Sequence, residues 1–292
     1  MNDAGPDVCF GFDGLPGHQK GAGRGFANEE AYGTIFENGR MASVFGGTGA
    51  FTAQVGGVWD ALLSEGRHWW LFGSSDFHSE GGDFYPGEFQ KNFYYAEDPS
   101  SPQSIVEGLR SGNGFVSMGD LVTNIRFTVN GIAMGATAPA AEKALIKIAI
   151  YDPQEQNHNS YGDYTHPSVD HLDVIMGTVG PKAKRGTPEY SLDKVSTTMV
   201  IARFDAHGGA KDSKGIVSKK WTDLGNGWKV MSLEIPIKED CYFRLRGTNN
   251  PLNTPGEVDA AGNPLHDFEK QNSTEKTFAD LWFYTNPVFM NH

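Results

Sequence analysis

The sharpest chemical signal in the chain is Asp76-Phe77-His78, which places an anionic oxygen and an imidazole two residues apart. That donor pair suits Zn²⁺, Mn²⁺ or Fe²⁺ and can serve in a two-metal cluster. On an extended backbone, residues i and i+2 share a face, so both side chains would point into one site. The same three residues also fit an ordinary strand-to-loop exit in which Asp76 forms a turn. A D-x-H pattern is short enough to recur by chance.

A second candidate is Asp13-Gly14-Leu15-Pro16-Gly17-His18-Gln19. It too follows an apolar run, which would put Asp13 and His18 on the rim that carries Asp76 and His78. Against this stand two plainer readings: Asp13 as a turn former beside Gly14, and His18 as an exposed loop histidine. Arg24, in the Gly-rich stretch after His18, could reach a phosphoryl oxygen; the plainer reading is a solvated loop arginine. His68 precedes an apolar run, at the end away from the rim, and reads as structural. No G-x-S-x-G elbow and no P-loop occurs. Cys9 falls in an expected strand and reads as a buried thiol.

The elements that must position these residues follow from hydrophobic patterning. Residues 8–12 and 69–73 are continuous apolar runs and predict buried strands. Between them, residues 51–66 carry apolar positions at helical spacing, with Gly66 as a stop. Strand, long loop, helix, strand is the rhythm of an α/β unit with parallel strands. In such units sites gather at the carboxyl ends of the strands. Residues 91–95 predict a further strand. Ser101-Pro102 then opens a short helix, with Ser101 as N-cap, Pro102 in the first turn and Gly112 at the end.

From about residue 119 the rhythm changes. Runs at 121–129, 145–151, 171–176, 198–204, 228–235, 242–246 and 281–284 predict seven short strands with no long helix between them, the pattern of a β-sandwich. The expected division is therefore 1–118 and 119–292.

Composition narrows the function classes. At 292 residues the chain can hold two sizeable cores. Its formal net charge of −12 argues against nucleic-acid binding, which needs basic patches. Acidity also simply aids solubility. Two cysteines, Cys9 and Cys241, are too few for a disulfide framework or a four-cysteine zinc site. No apolar run reaches the ~18–20 residues of a membrane span, and residues 1–7 lack a signal-peptide pattern.

Taken in order, these motifs resemble a known family. Gly73-Ser74-Ser75-Asp76-Phe77-His78 is similar to the G-S-D-x-H motif of the PHP (polymerase and histidinol phosphatase) superfamily, with one additional Ser. Pro86-Gly87-Glu88 and the segment from Ser104 to Gly112 resemble the strand and helix that close such barrels. Phe115-Val116-Ser117, Asn130-Gly131 and Met134-Gly135 look like the exit into an appended β-domain. Phe243-Arg244-Leu245-Arg246 and Asp280-Leu281-Trp282-Phe283-Tyr284 resemble that domain's closing strands.

The resemblance implies a distorted β/α barrel, several metals at the strand ends, and hydrolysis of phosphoesters. Asp76 and His78 match the last ligand motif, His18 an upstream ligand, and Asp13 the acidic residue before it. The family also begins with a strand ending in His-x-His, and this chain has no His-x-His. The expectation is therefore the C-terminal part of a barrel, residues 1–118, followed by an all-β sandwich. It would be a metal-dependent phosphoesterase with weak or no turnover as this chain. It would take a small phosphoester and a divalent metal (Zn, Mn or Fe), and bind neither nucleic acid nor membrane. Self-association, as a homodimer, would cover apolar strand faces left bare. The rivals are an amidohydrolase-like metal hydrolase, and a non-catalytic carbohydrate- or protein-binding β-sandwich with Trp221 as its exposed aromatic.

Overall fold

The computed structural model describes residues 3–15, 44–78, 84–153, 168–265 and 280–292. The first elements are β1 (Gly11–Leu15), β2 (Val44–Phe45), β3 (Thr48–Gly49), α1 (Ala50–Ala53), α2 (Val58–Ser64) and β4 (Trp70–Gly73). Next come β5 (Gln90–Tyr94), α3 (Pro102–Ser111), β6 (Gly114–Met118), β7 (Asn124–Val129), β8 (Ile132–Ala133), β9 (Thr137–Ala138) and β10 (Lys143–Tyr151). The rest is β11 (His171–Thr178), β12 (Met199–Asp205), β13 (Lys219–Lys220), β14 (Thr222–Asp223), β15 (Trp228–Pro236), β16 (Cys241–Thr248), β17 (Trp282–Thr285) and β18 (Val288–Met290).

The expected α/β barrel is not there. Eighteen strands stand against three α-helices among the described residues, and the strands form several open sheets. Two local features explain the difference. First, β5 and β6 pair antiparallel, so α3 between them is not a crossover to a parallel strand. Gly112, at φ +70°, turns the chain back directly into β6. Second, the parallel sheet stops at β4. One edge of β4 pairs with β1. On the other edge, side chains stand where a further strand would be. Asn92 accepts from the Gly73 N–H (2.9 Å) and donates to its carbonyl (2.7 Å). Asn286 accepts from the Leu71 N–H (2.8 Å), and Tyr94 donates to the Leu71 carbonyl (2.6 Å). These backbone groups are thereby satisfied without a strand.

The long helix expected over 51–66 is two short ones. Gly56, at φ +77°, breaks it, and Gly66, at φ +67°, ends the second piece. The first strand is displaced relative to the apolar run at 8–12. The Val8 and Cys9 N–H groups both bond the Gly5 carbonyl, so that stretch turns, and β1 begins at Gly11. α3 starts as its sequence demands: the Ser101 hydroxyl accepts from the Ser104 N–H, and Pro102 sits in the first turn.

All seven strands expected beyond residue 119 are present. β7, β10 and β15, with β8 and β14 at the rims, make a five-stranded sheet. β10 alternates exposed and buried residues, sending Ala144, Ile146, Ile148 and Ile150 inward. The nine-stranded sheet contains β11, β12, β16 and β17 together with β5 and β6, so it runs across residue 118. In β16, Phe243 and Leu245 join a core that also holds Phe127, Ile146 and Leu172. The alternate residues Tyr242, Arg244 and Arg246 take the other face, against α2 and neighbouring loops.

Candidate functional site

β1 and β4 lie side by side and parallel, with Gly11 opposite Trp70, Phe12 opposite Leu71 and Asp13 opposite Phe72. Their carboxyl ends therefore form one edge, and two motifs some sixty residues apart arrive there together. The link is direct: the Ser74 hydroxyl donates to Asp13 Oδ2 at 2.7 Å. The other Asp13 oxygen accepts from the Leu15 N–H at 3.3 Å. The register slips between Asp13 and Leu15, at Gly14. A β-carbon there would fall 2.1 Å from Thr52 Oγ1 and 2.3 Å from Leu71 Cδ1, so any larger residue would force both side chains to shift.

Asp76 and His78 sit just past the end of β4, not in an extended strand. Asp76 has φ +45°, a left-handed conformation that Asp tolerates better than most residues. The turn brings His78 Nδ1 to 2.5 Å from the Asp76 carbonyl oxygen. A carbonyl can only accept, so Nδ1 carries the proton. The Asp76 carboxylate lies 3.7 Å from the same nitrogen, and the side chains of His78 and Asp76 are 74% and 37% exposed. A local turn, not strand alternation, holds the two together.

His18 and Arg24 lie outside the described residues. Among the described residues, no three His, Cys, Asp or Glu side chains converge closely enough to hold a metal ion. Asp13, Asp76 and His78 therefore do not by themselves fit a two-metal cluster. Lys91 is committed to an ion pair: its ammonium sits 2.6 and 2.7 Å from the two Asp120 oxygens.

Other candidates resolve as packing. His68 stacks on Phe289 at 4.9 Å and against Trp70 at 5.2 Å. Burial lowers its pKa, with a lesser push from Lys182. Trp221, expected on the surface, is 3% exposed, with the Lys229 ammonium 5.9 Å from its ring centre. Cys9 lies in a bend ahead of β1 and is half-buried, while Cys241 is buried in β16; the two are not joined in a disulfide.

Sequence reasoning missed the buried ion-pair system on the nine-stranded sheet. Asp60 binds Arg244 through two bonds of 2.8 and 2.7 Å. It also accepts from the Tyr242 hydroxyl (2.9 Å) and the Gly56 N–H (2.7 Å). Farther along the same face, Asp173 bonds both Arg203 (2.7 Å) and Arg246 (3.0 Å), and Arg203 also reaches Asp212 at 3.0 Å. The available signal was the alternation Phe243-Arg244-Leu245-Arg246, two arginines on one face of an otherwise apolar strand.

No family model matches the chain, and neither does any curated protein or solved structure.

Proposed function

We propose that this chain carries one edge of a metal-dependent phosphoesterase of PHP type, and that as it stands it turns over phosphoesters poorly or not at all. The reading does not rest on a barrel. It rests on the parallel β1–β4 pair, whose carboxyl ends unite the Asp13 segment with Ser74-Ser75-Asp76-Phe77-His78 through the Ser74–Asp13 bond. Two separated acidic motifs meeting at the carboxyl edge of parallel strands is the arrangement that sites in such sheets use. Asp76 and His78 are the assigned metal-binding side chains, Asp13 flanks them, and His18 and Arg24 remain the sequence's candidates for a further donor and a phosphate contact. A working cluster needs more donors than the described edge supplies.

The test is calorimetric titration with Mn²⁺ and Zn²⁺, beside hydrolysis of a generic aryl phosphate. Weak metal binding that disappears in Asp76→Ala and His78→Ala, with little or no turnover, supports the reading. Metal affinity unchanged in both variants removes Asp76 and His78 from any site. Strong turnover abolished by Asp76→Ala would show a complete site and overturn the prediction of low activity.

A further inference from the structure

The outward face of the five-stranded sheet carries a depression lined by Arg126, Thr128, Lys147, Ala149, Val230 and Ser232. With Ile125 and Phe127 buried in β7 and Ile146 and Ile148 in β10, the residues between them face solvent. Arg126 stands opposite Ala149, which stands opposite Val230; one step along, Thr128 stands opposite Lys147, which stands opposite Ser232. The small side chains of Ala149 and Val230 leave a depression of about 430 Å³ between larger neighbours. Arg126 and Lys147 flank it as diagonal cross-strand neighbours, ~7–8 Å apart at the backbone.

Two observations say what this groove is suited to hold. In a chain of net charge −12, both flanking cations lack a carboxylate partner among the described residues, whereas the nearby Lys143 is answered by Glu234 at 2.8 Å. Arg126 is also held in place: its guanidinium lies 5.3 Å from the ring centre of Trp228, which in turn packs on Tyr151 at 5.3 Å. A guanidinium braced on an aromatic ring has less freedom to lose when it meets an anion. The hydroxyls of Thr128 and Ser232 add polar contacts at the groove wall.

We propose that this groove binds an acidic polysaccharide, a hydroxyl-rich chain carrying carboxylates at intervals. Sparse charge is the point. Two cations match a ligand with widely spaced anions, whereas a nucleic acid, with a charge every ~1.7 Å along the duplex, needs many more basic contacts and is repelled by the acidic remainder. The groove lies on a different sheet from the Asp13–Asp76 edge, so its fate is separate from that of the hydrolase reading.

The experiment is affinity electrophoresis of the whole chain in native gels containing polygalacturonate, neutral dextran or no polymer, with a DNA oligonucleotide shift run in parallel. Retardation by polygalacturonate alone, weakened by salt, is expected. Arg126→Ala/Lys147→Ala should reduce it at least about tenfold, since it removes two charge-assisted contacts. Ala149→Glu, which fills the groove with an acid and keeps both cations, should do the same. Melting temperatures of these surface variants verify folding. No retardation, equal retardation by dextran, undiminished retardation in the folded variants, or preferential binding of DNA would each overturn the proposal.

Discussion

Arg244 and Asp60 are 184 residues apart in sequence and meet in the interior through two parallel hydrogen bonds of 2.8 and 2.7 Å. The guanidinium also lies 4.8 Å from the ring centre of Trp59, so α2 grips β16 with two consecutive residues. Both partners are essentially inaccessible to solvent. Removing one partner leaves a buried charge unanswered, at a cost of about 3–5 kcal/mol. Asp60→Ala should therefore lower stability by that order in urea titrations. Asp60→Asn, which keeps the shape and one acceptor, should fall between it and the wild type. A loss under about 1 kcal/mol for Asp60→Ala would mean that α2 is held by apolar packing alone.

The amides that close β4 give a second expectation. Burial pushes the Tyr94 phenol pKa up, keeping it a donor to the Leu71 carbonyl, while Asn286 donates to the Tyr94 oxygen at 2.8 Å. Asn286→Ala strands the Leu71 N–H and loosens Tyr94. Asn92→Ala strands both polar groups of Gly73. Each should cost ~1–3 kcal/mol per buried group left unpaired. Hydrogen exchange should locate the loss in residues 70–73, and protection there equal to wild type would contradict the role assigned to these side chains.

Acid should weaken the second buried ion cluster. Burial raises the pKa of Asp173, but Arg246, His171 and Arg203 together more than reverse this, leaving it below its ordinary 3.8. A depressed folded pKa means the stabilisation is present in full above 3.8 and is lost as pH falls through the folded value. Denaturant midpoints should drop steeply below that pH. Asp173→Asn should be less stable near neutrality and show a shallower acid slope. An identical slope in the variant would exclude Asp173 as a source of the dependence.

The two thiols should differ sharply. Cys241 is pushed up to about 12, first by burial and then by Asp240 and Glu239. Thiolate is the reactive form. At neutral pH a disulfide reagent should titrate a single thiol in the native chain, Cys9, and reach Cys241 only after denaturant is added. Rapid labelling persisting in Cys9→Ser would show that β16 opens readily.

Legibility in the sequence followed the range of the forces involved. The strands beyond residue 119 were readable because alternation is a local signal, set by one buried and one wet face; β10 is the plainest case. Capping of α3 by Ser101 was readable for the same reason. The barrel expectation failed because strand direction is not local: residues 90–94 look alike whether paired parallel or antiparallel, and only their partner β6 decides. The end of the parallel sheet was hidden as well, since nothing near Trp70–Gly73 reveals that Asn286, more than two hundred residues on, will occupy its edge. At the candidate site, the meeting of Asp13 with the Ser74–His78 segment could be anticipated from two apolar runs of similar kind. The manner of it could not: Asp76 and His78 are joined by a left-handed turn, whereas alternation assumed an extended backbone.

The side-chain closure of β4 gives the fold a one-way seam. Among the described residues β1 pairs with β4 alone, and the far side of β4 is already occupied by Asn92, Tyr94 and Asn286. Any strand supplied by a fused segment or an added peptide can therefore widen the parallel unit only alongside β1. Laid parallel there, its own carboxyl end would come to rest beside Asp13. Three polar side chains thus fix the direction in which this small sheet can be enlarged, and the enlargement they permit is the one that brings new donors to the edge where Asp13, Asp76 and His78 already stand.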